Sequence, residues 1–300
     1  MLKTKGDDFL NLNLDCIPCI ANKAFKLSKK YLKNDGERFN FLREVYKEIS
    51  ETSPTETAPS LSSKILNILK SKINIEDLYL EEKTYFNEKL LNMLKDIKPN
   101  ELDLLKGLKY ALAGNIIDFG AMDTVEDKTV KKVINKTLEA KIDMDLFKEF
   151  KDELKKANHI SYVADNAGEI VFDSIFIKEI KNESPTLDIT FITRGKPVFN
   201  DVTKKDAYQV GINKYAKVIG NGTSIPGTDL NKINKECKKA LEKSDLIISK
   251  GQGNFETLFG SSLNIYYLFL CKCDMFTEKL KKDKFQPVFI HNREYANIKW

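Results

Sequence analysis

Tyr162-Val163-Ala164-Asp165-Asn166-Ala167-Gly168-Glu169-Ile170-Val171-Phe172-Asp173 passes from a β-prone apolar run into a helical pattern, with a carboxylate, a carboxamide and a glycine at the junction. A strand that hands over to a helix in this way belongs to an open α/β sheet, whose ligands sit beyond the carboxyl ends of the strands. Asp165 and Asn166 offer adjacent hard oxygen donors. Gly168 lets backbone approach a ligand, and the helix start offers N–H groups to an anion. The local chemistry suits a metal together with a phosphate.

Downstream of His159, short β-branched runs alternate with longer helical stretches. Residues 160–164, 188–193, 216–219, 246–249 and 287–290 read as strands. This alternation predicts an α/β chain with a Rossmann-like α/β/α doubly wound sheet, largely parallel, with the last strand at its edge. The most apolar stretch, Ile265-Tyr266-Tyr267-Leu268-Phe269-Leu270, reads equally as a buried helix or a strand. Upstream, from Cys19 to about Phe150, apolar residues recur every three or four positions, as in Phe39, Leu42, Val45, Tyr46 and Ile49, or Leu102, Leu105, Leu108 and Leu112. The expected organisation is a helical N-terminal region over 1–155 and a metal- and phosphate-binding Rossmann-like domain over 156–300.

Composition narrows the class. With 42% hydrophobic and 31% charged residues, the 300-residue chain can bury a large core and is not a disordered sequence. The net charge of +5 is spread without a basic block, which argues against nucleic acid as a partner. No run is long and apolar enough for a membrane span, and the start lacks the apolar core of a secretory signal. Five cysteines, an odd number, do not make a disulfide framework, so a reducing cytoplasmic location is expected. The oligomeric state is left open by the sequence.

Polar residues gather after the strands: Asp165-Asn166, then Arg194 to Asp201, then Gly220-Asn221-Gly222-Thr223, then Lys250-Gly251-Gln252-Gly253-Asn254-Phe255-Glu256. Loops carry such residues for solvation alone, but here four rich loops fall at one rim. Asp165, Asn166 and Asp201 together make a two-carboxylate, one-amide set suited to Mg²⁺ or Mn²⁺. The competing reading makes each aspartate a helix N-cap. Lys250 is placed to reach a phosphate. There is no dinucleotide or Walker glycine loop, no HExxH around His159 or His291, and no GxSxG elbow. Cys16-Ile17-Pro18-Cys19 has the spacing of half a zinc site or of a redox dithiol, with Cys271 and Cys273 as distant companions.

With these motifs in this order, the chain resembles the metal-dependent damage-control phosphatase family, formerly a domain of unknown function and also called acidic-residue-methyltransferase-like. The resemblance rests on Asp15-Cys16-Ile17-Pro18-Cys19, Ala113-Gly114-Asn115-Ile116-Ile117-Asp118, Asp165-Asn166-Ala167-Gly168-Glu169, Arg194-Gly195-Lys196-Pro197 with Asn200-Asp201, and Lys250 to Glu256. The paired cysteines match the subfamily with an N-terminal CxxC. The resemblance implies a divalent metal (Mn, Co, Ni or Mg) held by Asp165, Asn166 and Asp201, and hydrolysis of phosphomonoesters of small metabolites such as sugar phosphates. It implies Asp165 and Asp201 as catalytic carboxylates, and Asn115, Asp118, Glu169, Arg194 and Lys250 around the substrate. Cys16, Cys19 and Cys273 would be structural thiols. Three other readings stay open: a non-catalytic module binding a phosphorylated metabolite, a zinc or redox scaffold on Cys16 and Cys19, and a methyltransferase on the same sheet.

Overall fold

The computed structural model describes residues 10–95, 102–116, 132 and 135–295. Three helices, α1 (Cys16–Tyr31), α2 (Asp35–Glu51) and α3 (Ala58–Ile73), close around Phe41, Val45, Leu61, Leu66 and Leu69. Their ends are written locally. The Asn34 side chain accepts the Glu37 N–H, Thr57 accepts that of Ser60, and Asn74 ends α3 in the left-handed region. Next come α4 (Leu80–Leu94), α5 (Leu104–Ile116) and α6 (Met144–Lys156). Their apolar faces, among them Leu90, Leu108, Leu112, Phe150 and Leu154, merge with Ile160, Tyr162, Phe172 and Phe176 into one core.

The sheet follows, with β1 (His159–Val163), α7 (Glu169–Glu183), β2 (Asp188–Thr193), α8 (Lys204–Val210) and β3 (Lys217–Gly220). The chain continues through α9 (Lys235–Lys243), β4 (Leu246–Lys250), α10 (Gln252–Leu258), β5 (Ile265–Leu270), α11 (Asp274–Leu280) and β6 (Pro287–His291). The spatial order is β3-β2-β1-β4-β5-β6, parallel throughout except for β6, which runs antiparallel to β5 at the edge. The doubly wound sheet and its preceding helices are thus as expected. The stretch 265–270 is a strand. All six of its residues are buried, and a strand covered on both faces loses the alternation that would have marked it.

Alternate residues of β1 serve the two faces: Tyr162 joins the core with α5 to α7, while Val163 packs with Ile192, Ile247, Phe255 and Tyr267 on the other side. Two glycines of α5 bring it against α7. A Cβ on Gly107 would lie 3.2 Å from the Phe176 Cα, and one on Gly114 would lie 3.1 Å from the Glu169 Cγ. That approach delivers Asn115 to the start of α7. Strand order reverses direction between β1 and β4, so the ligand crevice of this topology opens where Asp165 and Lys250 leave the sheet. Among the described residues no helix is long and apolar enough to cross a membrane.

Candidate functional site

The loops after β1 and β2 are stitched into one unit. The Ala167 N–H donates to the Asn200 carbonyl at 2.9 Å, the Val202 N–H donates to the Asp165 carbonyl at 2.8 Å, and Asn166 faces Asp201 across an isolated antiparallel bridge. Neither aspartate caps a helix. The N-cap of α7 is Gly168, at φ +76°, and that of α8 is Thr203, whose N–H and hydroxyl donate to Asp206 at 2.8 and 2.6 Å. The capping alternative therefore fails for both, and their carboxylates are left for other work.

Arg194 spans the pair. It is 1% exposed, its Nε donates to Asp201 Oδ2 at 2.7 Å, and one terminal nitrogen lies 3.5 Å from Asp165 Oδ1. The other terminal nitrogen donates to Asn254 Oδ1 at 3.0 Å, and the Asn254 amide in turn donates to the carbonyls of Ala164 and Lys250. The guanidinium is thus a fixed countercharge, locked by the first turn of α10. Next to it, Gly251 has φ +80°, and a Cβ there would sit 2.0 Å from Asp165 Oδ2. Only glycine admits that carboxylate.

Lys250 reaches the site but is fully engaged within the protein. Its ammonium donates to the Ala111 carbonyl at 2.8 Å, Glu169 Oε1 at 2.5 Å and Asp173 Oδ1 at 2.6 Å. An ammonium has three N–H donors, so in this arrangement none is left for the phosphate that the sequence reading assigned to it. Lys250 instead anchors Glu169, whose second oxygen accepts from Asn115 at 2.9 Å. The Asn115 amide also lies 3.4 Å from Asp165, and its oxygen accepts the Leu270 N–H at 3.0 Å. Asn166 donates to Asp165 Oδ2 at 2.7 Å. Asp165, Asn166, Asp201, Asn115, Glu169, Arg194 and Lys250 therefore form one connected network, whereas Asp118 lies outside the described residues.

Electrostatics at the centre is unbalanced toward negative charge. Burial, then the charges of Glu169 and Asp201, push the Asp165 carboxyl well above the usual range, with Arg194 and Lys272 pulling back. Burial raises Asp201 as well, against the pull of Arg194, Lys23 and Lys83. Asp173 rises to about 6, chiefly through burial, and its Oδ2 has no hydrogen-bond partner among the described residues. Burial disfavours the Lys250 ammonium, yet Asp173 and Glu169 outweigh it and hold the group protonated. Two crowded carboxylates and a carboxamide of hard oxygens suit a divalent cation. They include only two acidic groups, and among the described residues no three of His, Cys, Asp or Glu converge as a ready-made metal cage. Water and a substrate oxygen would have to complete the coordination.

Several contributors escaped the sequence reading. Lys272, partly exposed after β5, and Lys23, exposed on α1, carry charges that reach Asp165 and Asp201 respectively. Lys23 lies 3.5 Å from the ring centroid of Phe199, a buried residue at φ +41° just ahead of Asp201. Lys83 and Asn87 enter from α4. Two of the amides leading into α7 are engaged within the protein, that of Ala167 by Asn200 and that of Gly168 by Asn87.

Residues 12–288 match the model of the damage-control phosphatase ARMT1-like domain. The chain belongs to this family. It is 31% identical to an uncharacterized protein of Methanocaldococcus jannaschii over 94% of this chain and 96% of that one. It is 30% identical to a damage-control phosphatase of Pyrococcus horikoshii over 95% of this chain and 99% of the relative. Its fold matches the crystal structure of a DUF89 family protein from the same organism, with a TM-score of 0.84 at 29% identity, covering 94% of this chain and 99% of that one.

Within this family member the cysteines are all free. Cys16 and Cys19 open α1, and the half-buried Cys16 lies close enough to Glu256, Cys273 and Cys19 to feel their charge. Burial and those neighbours push its thiol up to about 12. Gln252 links Cys273 to Glu256, at 3.7 and 3.0 Å. The sequence's distant thiols thus share one neighbourhood beside α10, without forming a metal cage among the described residues.

Proposed function

We propose that this damage-control phosphatase relative hydrolyses phosphomonoesters of small metabolites such as sugar phosphates, using a divalent cation (Mn²⁺, Co²⁺, Ni²⁺ or Mg²⁺) held by Asp165, Asn166 and Asp201. The observation that carries the reading is the Arg194-spanned pair of non-capping aspartates at the reversal of strand order, both with proton affinity raised by burial and Asp165 further by the charges of Glu169 and Asp201. Relatives bearing the phosphatase name over nearly the whole chain support it. On this reading the chain falls in the subfamily with an N-terminal CxxC, a reading supported by Cys16 and Cys19.

The bound cation would supply charge neutralisation to the transferring phosphoryl group. The protein supplies the rest. Arg194 balances the aspartates and keeps them in place, while Lys250 fixes Glu169 and, through it, Asn115. Lys272, just after β5, and Lys23 on α1 carry charges that reach the aspartates and draw a dianionic substrate toward the crevice. A carboxylate of the pair either takes the proton of the attacking water, which passes to the departing alkoxide as the P–O ester bond breaks, or attacks phosphorus itself.

The test is phosphate release from a panel of p-nitrophenyl phosphate and several sugar phosphates, after chelation and re-addition of each metal, with Asp165→Ala alongside. Metal-restored release that is missing in the variant supports the reading. Metal-dependent binding of a sugar phosphate without release would instead favour a binding module.

A further inference from the structure

Helix α4 buries two polar residues one turn apart, Lys83 at 1% and Asn87 at 0% exposure. Burying an ammonium and a carboxamide on a helix face is costly unless each is partnered. The partners include the starts of the two helices that follow the loops carrying the candidate ligands. Asn87 Oδ1 accepts the Gly168 N–H at 2.6 Å across 81 residues of sequence, just downstream of Asp165-Asn166. Its amide donates to Gln209 Oε1 at 2.9 Å, and Gln209 donates back to the Thr84 carbonyl of α4. Lys83 sits between Asp77 at 2.8 Å and Asp206 at 3.3 Å. Asp206 accepts from Thr203, just downstream of Asp201.

The N–H of Gly168, the N-cap residue of α7, takes its acceptor from α4. The neighbouring Asp206 anchor is the N-terminal lock of α8. One helix therefore grips the starts of both helices that follow the ligand loops. We propose that Asn87 and Lys83 are positioning residues for the metal site: α4 is a two-point brace that sets how Asp165-Asn166 and Asp201 face each other. The inference rests on the metal reading above. It adds that the helical region takes part in building the site, through residues that touch neither metal nor substrate.

The experiment is calorimetric titration of Mn²⁺ into metal-free full-length protein, with thermal unfolding measured in parallel. The set is wild type, Asn87→Ala, Asn87→Asp, Lys83→Met and, as a stability control on the same helix, Leu90→Val. Asn87→Ala and Lys83→Met are expected to weaken Mn²⁺ binding about 10-fold, the effect of losing an outer-sphere support. Asn87→Asp, which keeps the acceptor for Gly168 but loses the donor to Gln209 and buries a charge, should lower Tm while weakening Mn²⁺ binding less than Asn87→Ala does. Leu90→Val should lower Tm and leave the affinity alone. Lys83→Met gives the comparison from the second loop whether or not Asn87→Ala folds. Unchanged Mn²⁺ affinity in the folded brace variants, or a loss no larger than in Leu90→Val at equal Tm, overturns the brace while leaving the metal site standing. A wild-type chain that binds none of Mn²⁺, Co²⁺, Ni²⁺ and Mg²⁺ in the same titration overturns the metal reading, and the brace with it.

Discussion

At the residue scale the site depends on a few tight fits. Asp165→Ala and Asp201→Ala should each cost at least about 100-fold in metal-dependent phosphate release, with far-ultraviolet circular dichroism unchanged. Retained turnover in both variants would remove the aspartates from the mechanism. Gly251→Ala tests the same point from the backbone. Its new methyl would overlap Asp165 Oδ2, so the carboxylate must move and Mn²⁺ affinity should fall, even though the change adds one carbon and removes no polar group. Asp165, Asn166 and Asp201 could be picked out as a candidate set because each follows a strand. The sequence misled on Lys250, since placement after a strand does not reveal that Glu169 and Asp173, one turn apart on α7, face the ammonium. Asn87 and Lys83 were illegible, because on an isolated amphipathic helix a lysine and an asparagine read as solvated residues.

At the element scale, local pattern reported strands well where one face differs from the other or a turn bounds them. Residues 188–193 coincide with β2, and the other four expected strands shift by a residue at one or both ends. β5 gave only greasiness, since both of its faces are covered. The edge strand β6 carries its own pH sensor. His291 is 2% exposed, its Nδ1 accepts from the Arg293 N–H at 3.1 Å, and its Nε2 lies 2.6 Å from Asn264 Oδ1. Burial, then the Arg293 charge, lower its pKa from 6.5 to about 4. Between those values the unfolded chain binds a proton that the native chain refuses, so this group makes stability fall as pH drops from about 6.5 toward 4, by roughly 2–3 kcal/mol at the low end. Urea unfolding at pH 7 and pH 4.5 should show a smaller difference for His291→Gln than for wild type. Equal differences would locate the acid sensitivity elsewhere.

At the scale of the whole molecule, α5 and α6 share one core with the sheet while α1 to α3 close around their own. We expect the 1–155 and 156–300 portions to unfold in one calorimetric transition, because separating them would strip Leu108, Leu112 and Phe150 from Tyr162 and Phe176. Two resolved transitions would contradict this. Metal should act on the same global equilibrium. Mn²⁺ at about 100 times its Kd adds about 2.7 kcal/mol, a rise of several degrees in Tm, and Asp165→Ala should lose that rise. The thiols offer a way to watch such changes. Cys19 is exposed at the start of α1, whereas Cys237 and Cys271 are buried and burial pushes the thiols of Cys16, Cys237 and Cys271 up to about 11 or 12. A maleimide dye at neutral pH should therefore attach chiefly to Cys19, giving a fluorescent reporter on the helix whose Lys23 overlies Phe199 at the lip of the crevice, without engineering a cysteine-free background.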